Sequence, residues 1–365
     1  MTSLYDRFGS LHAGRHETYF AGANSGDGFV SDYDRVLCEE RFERVYIIKG
    51  GPGVGKSTAI RRCSEAASLL GADVVEYRCG SDADSLDLAV IEKDGRKTAV
   101  LDGTAPHTRD PGYPGAAAEI VDFGRAWSRA KLEGMRDIIL DEAKKKADAF
   151  ADAYRLLAAA KSLRRDSLRL VMRALDKAKM HSAAVRLLKK VGAESDGGSP
   201  VFRYADGITM KGAYSLDTPE KIAAKTVYVS DDYMSGTLLI AELYSIAAYE
   251  RIGAAVFVSP LDPELYRGIY LSSCGVYFGI AKTGCEKCAV NMMRFLSPTA
   301  LAEIRGRRRA SDKLALAAFD EALVRLGEAR EHHFALEGMY GSATDYGIVD
   351  ELTSSLAADI AERLK

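Results

Sequence analysis

The stretch VYIIKGGPGVGKSTAI, residues 45–60, decides how this chain reads. The apolar run at 45–48 has the character of a buried strand, and residues 58–70 suit a helix. Between them stands Gly50-x-x-x-x-Gly55-Lys56-Ser57. A glycine loop of that spacing, set between a strand and a helix, is the P-loop pattern. Gly50, Gly51, Gly53 and Gly55 leave the backbone around Pro52 and Val54 unobstructed, so successive N–H groups can turn inward around a phosphate. The helix start at Lys56, Ser57 and Thr58 adds unpaired N–H groups and a partial positive charge. In this pattern Lys56 reaches the β- and γ-phosphates and the Ser57 hydroxyl ligates Mg2+. The expected ligands are therefore a nucleoside triphosphate, ATP, and Mg2+.

Working outward, residues 74–78 form a short β-branched run that reads as a second strand, and residues 81–87, SDADSLD, form an acidic loop. Asp94-Gly95 is a hairpin signal between two apolar runs. The second run ends in Asp102, at the carboxyl end of a strand expected to lie parallel to the glycine-loop strand. That position suits a carboxylate holding Mg2+ with Ser57. Lys56 and Asp102 are the leading catalytic candidates. Asp82, Asp84 and His107 are further ones, because their loops leave the same sheet edge. Thr104 lies in the His107 loop, and Arg109 or Arg125 would supply a stabilising guanidinium.

Upstream, residues 21–29, AGANSGDGF, read as a surface turn and 32–42 as a short helix. Downstream, residues 116–191 are rich in Ala, Leu, Lys and Arg, with apolar side chains at three- and four-residue spacing. They read as long helices, with a hairpin turn near Arg165-Asp166. The Lys144-Lys145-Lys146 and Arg164-Arg165 runs read as solvated faces, as does His332-His333. Residues 192–200, GAESDGGSP, have the composition of a linker.

The second half repeats the first in order. Residues 227–229 match the glycine-loop strand. Gly55 falls on Gly236, Lys56 on Thr237, Ser57 on Leu238, Asp84 on Asp262 and Asp102 on Gly279. Helices follow again at about 299–336 and 345–364. Ser230-Asp231-Asp232 stands where the glycines stood, and its carboxylates would repel a polyphosphate. The expected architecture is α/β: an internally duplicated P-loop NTPase fold with parallel sheets, each half followed by a long helical hairpin. Its divisions are residues 1–195 (core about 20–125, helices about 126–191) and 196–365 (degenerate repeat about 200–298, helices about 299–365). One nucleotide site per chain follows.

Composition agrees with a soluble globular protein. The chain has 365 residues, 47% of them hydrophobic and 28% charged, with a net charge of −2. Nothing in that balance attracts nucleic acid or an anionic membrane. No apolar run is long enough to span a bilayer, and residues 1–20 hold no apolar signal core, so a cytoplasmic location is expected. Six cysteines make no disulfide framework. Cys285-Glu286-Lys287-Cys288 is a lone CxxC without the second ligand pair that zinc needs.

The runs KGGPGVGKST, SDADSLD, AVLDGTAPH and PGAAAEIVDFG resemble a family of uncharacterised bacterial P-loop ATP-binding proteins, seen mainly in Firmicutes, that look like tandem duplications. The resemblance covers most of the chain and is strongest over residues 19–127. It implies ATP binding at residues 50–58 and supplies no substrate. In some members the second half also looks like a usable P-loop, and this chain departs there at Asp231, Asp232, Thr237 and Leu238.

Three functions fit these residues: an Mg-dependent ATPase, a small-molecule or nucleotide kinase with the acidic loop and the His107 loop holding the acceptor, or a nucleotide-dependent switch or scaffold that signals to a protein or small-molecule partner. The ATPase is the leading reading. No guanine-reading NKxD motif is present, and no glutamate follows Asp102 to orient water.

Overall fold

The computed structural model describes residues 15–281 and 288–365. The first half comprises β1 (His16–Phe20), β2 (Gly22–Ser25), β3 (Gly28–Ser31), α1 (Tyr33–Val36), β4 (Arg44–Lys49), α2 (Lys56–Leu69), β5 (Asp73–Arg78), β6 (Leu86–Lys93), β7 (Arg96–Asp102), β8 (Ala118–Asp122), α3 (Arg129–Gly134), α4 (Arg136–Met172) and α5 (Lys177–Val191). The second comprises β9 (Val201–Arg203), β10 (Asp206–Thr209), β11 (Gly212–Ser215), α6 (Thr218–Ile222), β12 (Lys225–Val229), α7 (Gly236–Tyr249), β13 (Ala254–Val258), β14 (Tyr266–Leu271), β15 (Val276–Ile280), α8 (Pro298–Ser342) and α9 (Tyr346–Arg363).

The fold is mixed α/β. The first sheet has the order β1-β5-β6-β7-β4-β8 and the second β12-β15-β14-β13-β9. In both, the glycine-loop-side strand pairs in parallel with its neighbour (β4 with β7, β12 with β15), and an antiparallel hairpin strand follows. Read from the other edge, the second sheet follows the order of the first. A single parallel bridge from Val229 to Val290 stands where the first sheet has β8. The β6–β7 turn holds Asp94 at φ 51° and Gly95 at φ 79°, the pair of left-handed residues that a tight two-residue hairpin requires.

Strand alternation gives each sheet two buried faces. Val45, Ile47, Leu88, Val90 and Leu101 of the first sheet meet Ala255, Phe257 and Tyr277 of the second, forming the centre of the molecule. The outer face of the first sheet (Tyr46, Ile48, Val74, Ile91, Val100) is covered by α2 and by Val349, Leu356 and Ile360 of the C-terminal helix α9. The outer face of the second sheet is covered by α7 and by Met180, Ala184 and Leu188 of α5. Each half thus lends its last helix to the sheet of the other.

The long helices make that exchange possible. α4 and α8 run antiparallel, with Glu142 bonded to His332 at 2.7 Å near one end and Asp166 to Arg307 at 2.9 Å near the other. Ala153, Leu157 and Ala160 pack with Ala322 and Leu326, and small alanines let the axes approach closely. Among the described residues no helix is long and apolar enough to cross a membrane.

Several local expectations are corrected. The chain is one continuous helix through Arg165-Asp166, so the turn expected there is absent: the α4 sequence has no helix breaker, and the antiparallel partner comes from α8. Residues 118–122, expected in a helical region, form edge strand β8 beside β4. Residues 21–29 are the β2–β3 hairpin, not a surface turn. Ala23, Asn24 and Ser25 are fully buried, and the Asn24 amide donates to the carbonyls of Gly80 and Ile208. His332 and the half-buried His333 are engaged, to Glu142 and Glu337. Arg165 bonds Asp262 at 2.5 and 2.6 Å, and Arg164 lies over Phe319. Of the CxxC, Cys285 lies outside the described residues.

Ile360, 1% exposed, tests the exchange. Ile360→Ala should cost about 2–5 kcal/mol in urea unfolding. Native-state hydrogen exchange should speed up in β4 and β5, on the far side of the sequence, before it does in β12 and β13.

Candidate functional site

The glycine loop follows β4 and turns into α2, with Gly53 at φ 71° and Gly55 at φ 92°. These left-handed positions favour glycine, which has no Cβ to strain. Lys56 is buried. Its ammonium donates back to the carbonyls of Gly50 (2.9 Å) and Gly51 (2.6 Å) and stands 3.5 Å from Asp102 Oδ2. Asp102 ends β7 opposite Ile48 in the parallel register, as its sequence position required. Its other oxygen, Oδ1, accepts from the backbone N–H and hydroxyl of Thr104. Burial holds the Asp102 carboxyl above the usual range, opposed by Lys56 and reinforced by Asp87.

Ser57 Oγ accepts from the Leu86 N–H at 2.8 Å, which ties the start of α2 to the start of β6. It keeps a lone pair for a metal. Pro52, Val54 and Thr58 fill out the loop: Val54 is buried beneath it and Thr58 is exposed. Among the described residues no cluster of three or more metal-ligating side chains is gathered. The Ser57 hydroxyl and the Asp102 carboxylate are hard oxygen donors, the ligand type that Mg2+ takes.

Asp82 and Asp84 turn elsewhere. Both pair with Lys211 of the β10–β11 hairpin, Asp82 at 2.8 Å. Asp87 is the acidic-loop residue brought to Asp102. The Tyr33 hydroxyl donates to the backbone carbonyls of both, at 2.7 and 3.2 Å. His107 is buried, stacked on Tyr33 with ring centres 4.4 Å apart. Its Nδ1 is 3.2 Å from Ser31 Oγ and its Nε2 3.0 Å from Asp87 Oδ2. Arg109 is engaged with Asp34 and the Leu37 carbonyl, and Arg125 is exposed.

The other half closes over the loop. The Tyr346 hydroxyl donates to the Gly53 carbonyl at 2.9 Å. A Cβ on Gly53 would fall 2.7 Å from the Glu337 carbonyl, and one on Gly51 2.9 Å from the Tyr340 ring. α4 contributes Lys146, half-buried and within electrostatic reach of Lys56 and Glu337, not solvated as the lysine run suggested. Burial lowers its ammonium. Only helical phase and the α8 partner separate it from exposed Lys144 and Lys145.

In the second half six residues, 230–235, again separate strand from helix, as 50–55 do in the first. The Thr237 hydroxyl accepts from the Tyr266 N–H at 2.9 Å, the role of Ser57. The equivalence is thus one residue off the expected pairing: Thr237 answers Ser57 and Gly236 answers Lys56. Likewise Ile280 answers Asp102, and Asp262 answers Asp82, whose carbonyls accept from Leu265 and Ser85. Asp231 Oδ1 accepts from the Gly236 N–H at 3.2 Å, so a carboxylate of the chain itself sits at that helix start.

Comparison with known proteins returns no match: no protein-family model, no curated protein and no solved structure matches this chain significantly.

Asp32, beside Ser31 and Tyr33, is 2% exposed, and burial pushes its carboxyl up to about 6 against the opposing charges of Arg203 and Arg35. A folded-state value above the unfolded one means that the unfolded chain ionises first as pH rises. Stability should therefore fall between about pH 4 and pH 6 and remain lowered above. Asp32→Asn should raise the urea midpoint at pH 8 by the equivalent of about 2–3 kcal/mol and change little at pH 4.

Proposed function

We propose that the protein binds Mg·ATP through residues 50–58 and hydrolyses it, with one nucleotide site per chain. The P-loop core is duplicated, and its second copy has lost the chemistry. The observation that carries this reading is Lys56: an ammonium folded over the glycine loop, 3.5 Å from a carboxylate at the end of the parallel strand beside it. An ammonium, a helix start and a metal-competent Ser57–Asp102 pair are what phosphoryl transfer asks of a protein, since its catalysis is mainly positioning and charge neutralisation.

Ser57 and Asp102 would hold Mg2+, whose charge would offset the negative charge developing on the phosphate. Lys56 would exchange its loop carbonyls for the β- and γ-phosphate oxygens. Thr104 holds Asp102 Oδ1, leaving Oδ2 toward the site. The second copy supports the one-site reading: Gly236 replaces the lysine, Ile280 the strand-end carboxylate, and Asp231 presents negative charge where a phosphate would need N–H groups.

A second reading, a nucleotide-dependent switch, is favoured by the contacts of Tyr346, Glu337 and Tyr340 with the loop. A polyphosphate entering the cradle would bear on the end of α8, a helix of 45 residues.

Lys56→Ala should abolish ATP binding in titration calorimetry, together with phosphate release in the presence of Mg2+; activity surviving that change would place the site elsewhere. ATP·Mg2+ should alter hydrogen exchange at residues 334–346 in the wild type and leave it unaltered in Lys56→Ala.

A further inference from the structure

We propose that Asp87 is the catalytic residue that orients the attacking water on the terminal phosphate, and that His107 positions Asp87. This rests on the reading of residues 50–58 as the phosphate site.

Placement comes first. In the β6–β7 register Leu88 lies opposite Leu101, so the next step toward the strand ends sets Asp87 level with Asp102. Tyr33, bonded to both carbonyls, fixes that juxtaposition. The β5–β6 pairing shifts register at this point, with Tyr77 opposite Leu88 and Arg78 opposite Leu86. Bulges of this kind re-aim a side chain and recur beside active sites. The N–H of the preceding residue, Leu86, is the one bonded to Ser57. Asp87 is therefore anchored on both sides to residues of the phosphate site.

Its carboxylate is buried between His107 and Cys79. Asp87 is 5% exposed, and Oδ2 has no hydrogen-bond partner, although His107 Nε2 is 3.0 Å away. A buried carboxylate oxygen without a donor costs stability, and in native proteins such atoms call for a functional account. His107 is fixed by Tyr33 on one face, by Phe29 edge-on and by Ser31 at Nδ1. A ring held on three sides sets the direction of the carboxylate beside it.

The second half provides an internal control. The residue that follows the Thr237-bonded N–H is Arg267, so the position of Asp87 carries the opposite charge. The copy without the lysine and the strand-end carboxylate has lost this acid too. A purely structural aspartate would have no reason to disappear with them, since the Ser57-type tie persists as Thr237.

In the reaction, water accepts no covalent help. Its oxygen lone pair forms the new bond to the γ-phosphorus as the bond from that phosphorus to the β–γ bridging oxygen breaks, the bridging oxygen keeping the electron pair as ADP. Asp87 accepts a hydrogen bond from the water and passes the released proton to solvent. ADP, inorganic phosphate and a proton are the products.

Asp87→Asn should leave the ATP dissociation constant and KM within about threefold and lower kcat by about 10²–10³-fold, the range for losing a group that orients or deprotonates the nucleophile. Asp87→Glu should recover part of the rate, and His107→Asn should lower kcat about tenfold at unchanged KM. If Asp87→Asn does not fold, the Asp87→Glu and His107→Asn pair carries the test: unchanged kcat in both overturns the proposal. Unchanged kcat in Asp87→Asn, or equal losses in binding and rate, overturns it as well. A wild-type protein that binds ATP and releases no ADP overturns the role of Asp87 and leaves the phosphate site intact, whereas a wild-type protein that binds no ATP removes the site itself.

Discussion

The exchange of terminal helices between the halves is the constraint on which the structure depends. Each sheet has an outer apolar face too wide for the one helix that its own half supplies. The first is completed by α9 and the second by α5. For those helices to reach across, α4 and α8 must be long and must lie side by side, and this explains the alanine-lined seam between them. The contacts of Tyr346 and Glu337 with the glycine loop follow from the same crossing: the turn between α8 and α9 has to pass over the first sheet's edge, where the loop is.

Two loops of equal length then meet two different electrostatic fates. In the first half the loop is glycine-rich, turns through left-handed positions without Cβ strain, and is backed by Lys56. In the second, left-handed φ values persist at Tyr233 and Met234, 58° and 60°, where side chains make them costly. Arg308 lies over the Tyr233 ring, 4.6 Å from its centre, and Asp231 caps the helix. The two backbones follow similar paths, and where the first loop has glycines the second makes contacts within the chain.

What the sequence made legible was local. The strand, glycine loop and helix at 45–70, and the hairpin at Asp94-Gly95, follow from short-range pattern and turn chemistry, and Asp102 was placed correctly because a strand end is readable from its neighbours. What stayed hidden depends on distant partners. Residues 21–29 looked like a surface turn because Asn24 finds one of its acceptors, the Ile208 carbonyl, in the other half. Asp87 was indistinguishable from Asp82 and Asp84 until the cross-strand register and the Lys211 pairs separated them. Lys146 was hidden in a run of three lysines, because the helix that shields it comes nearly two hundred residues later. Helix composition also does not say which sheet a helix will cover, so the exchange of α5 and α9 left no trace in the pattern.

That exchange fixes an order of assembly. The outer face of the first sheet is sealed by α9, which follows the last strand of that sheet by more than two hundred residues. The N-terminal half therefore emerges, strand by strand, with its outer face open to solvent until α9 has been made. The loop with Lys56 is complete in sequence long before the helix that encloses it, so a nascent chain holds an uncovered apolar sheet until α9 is made.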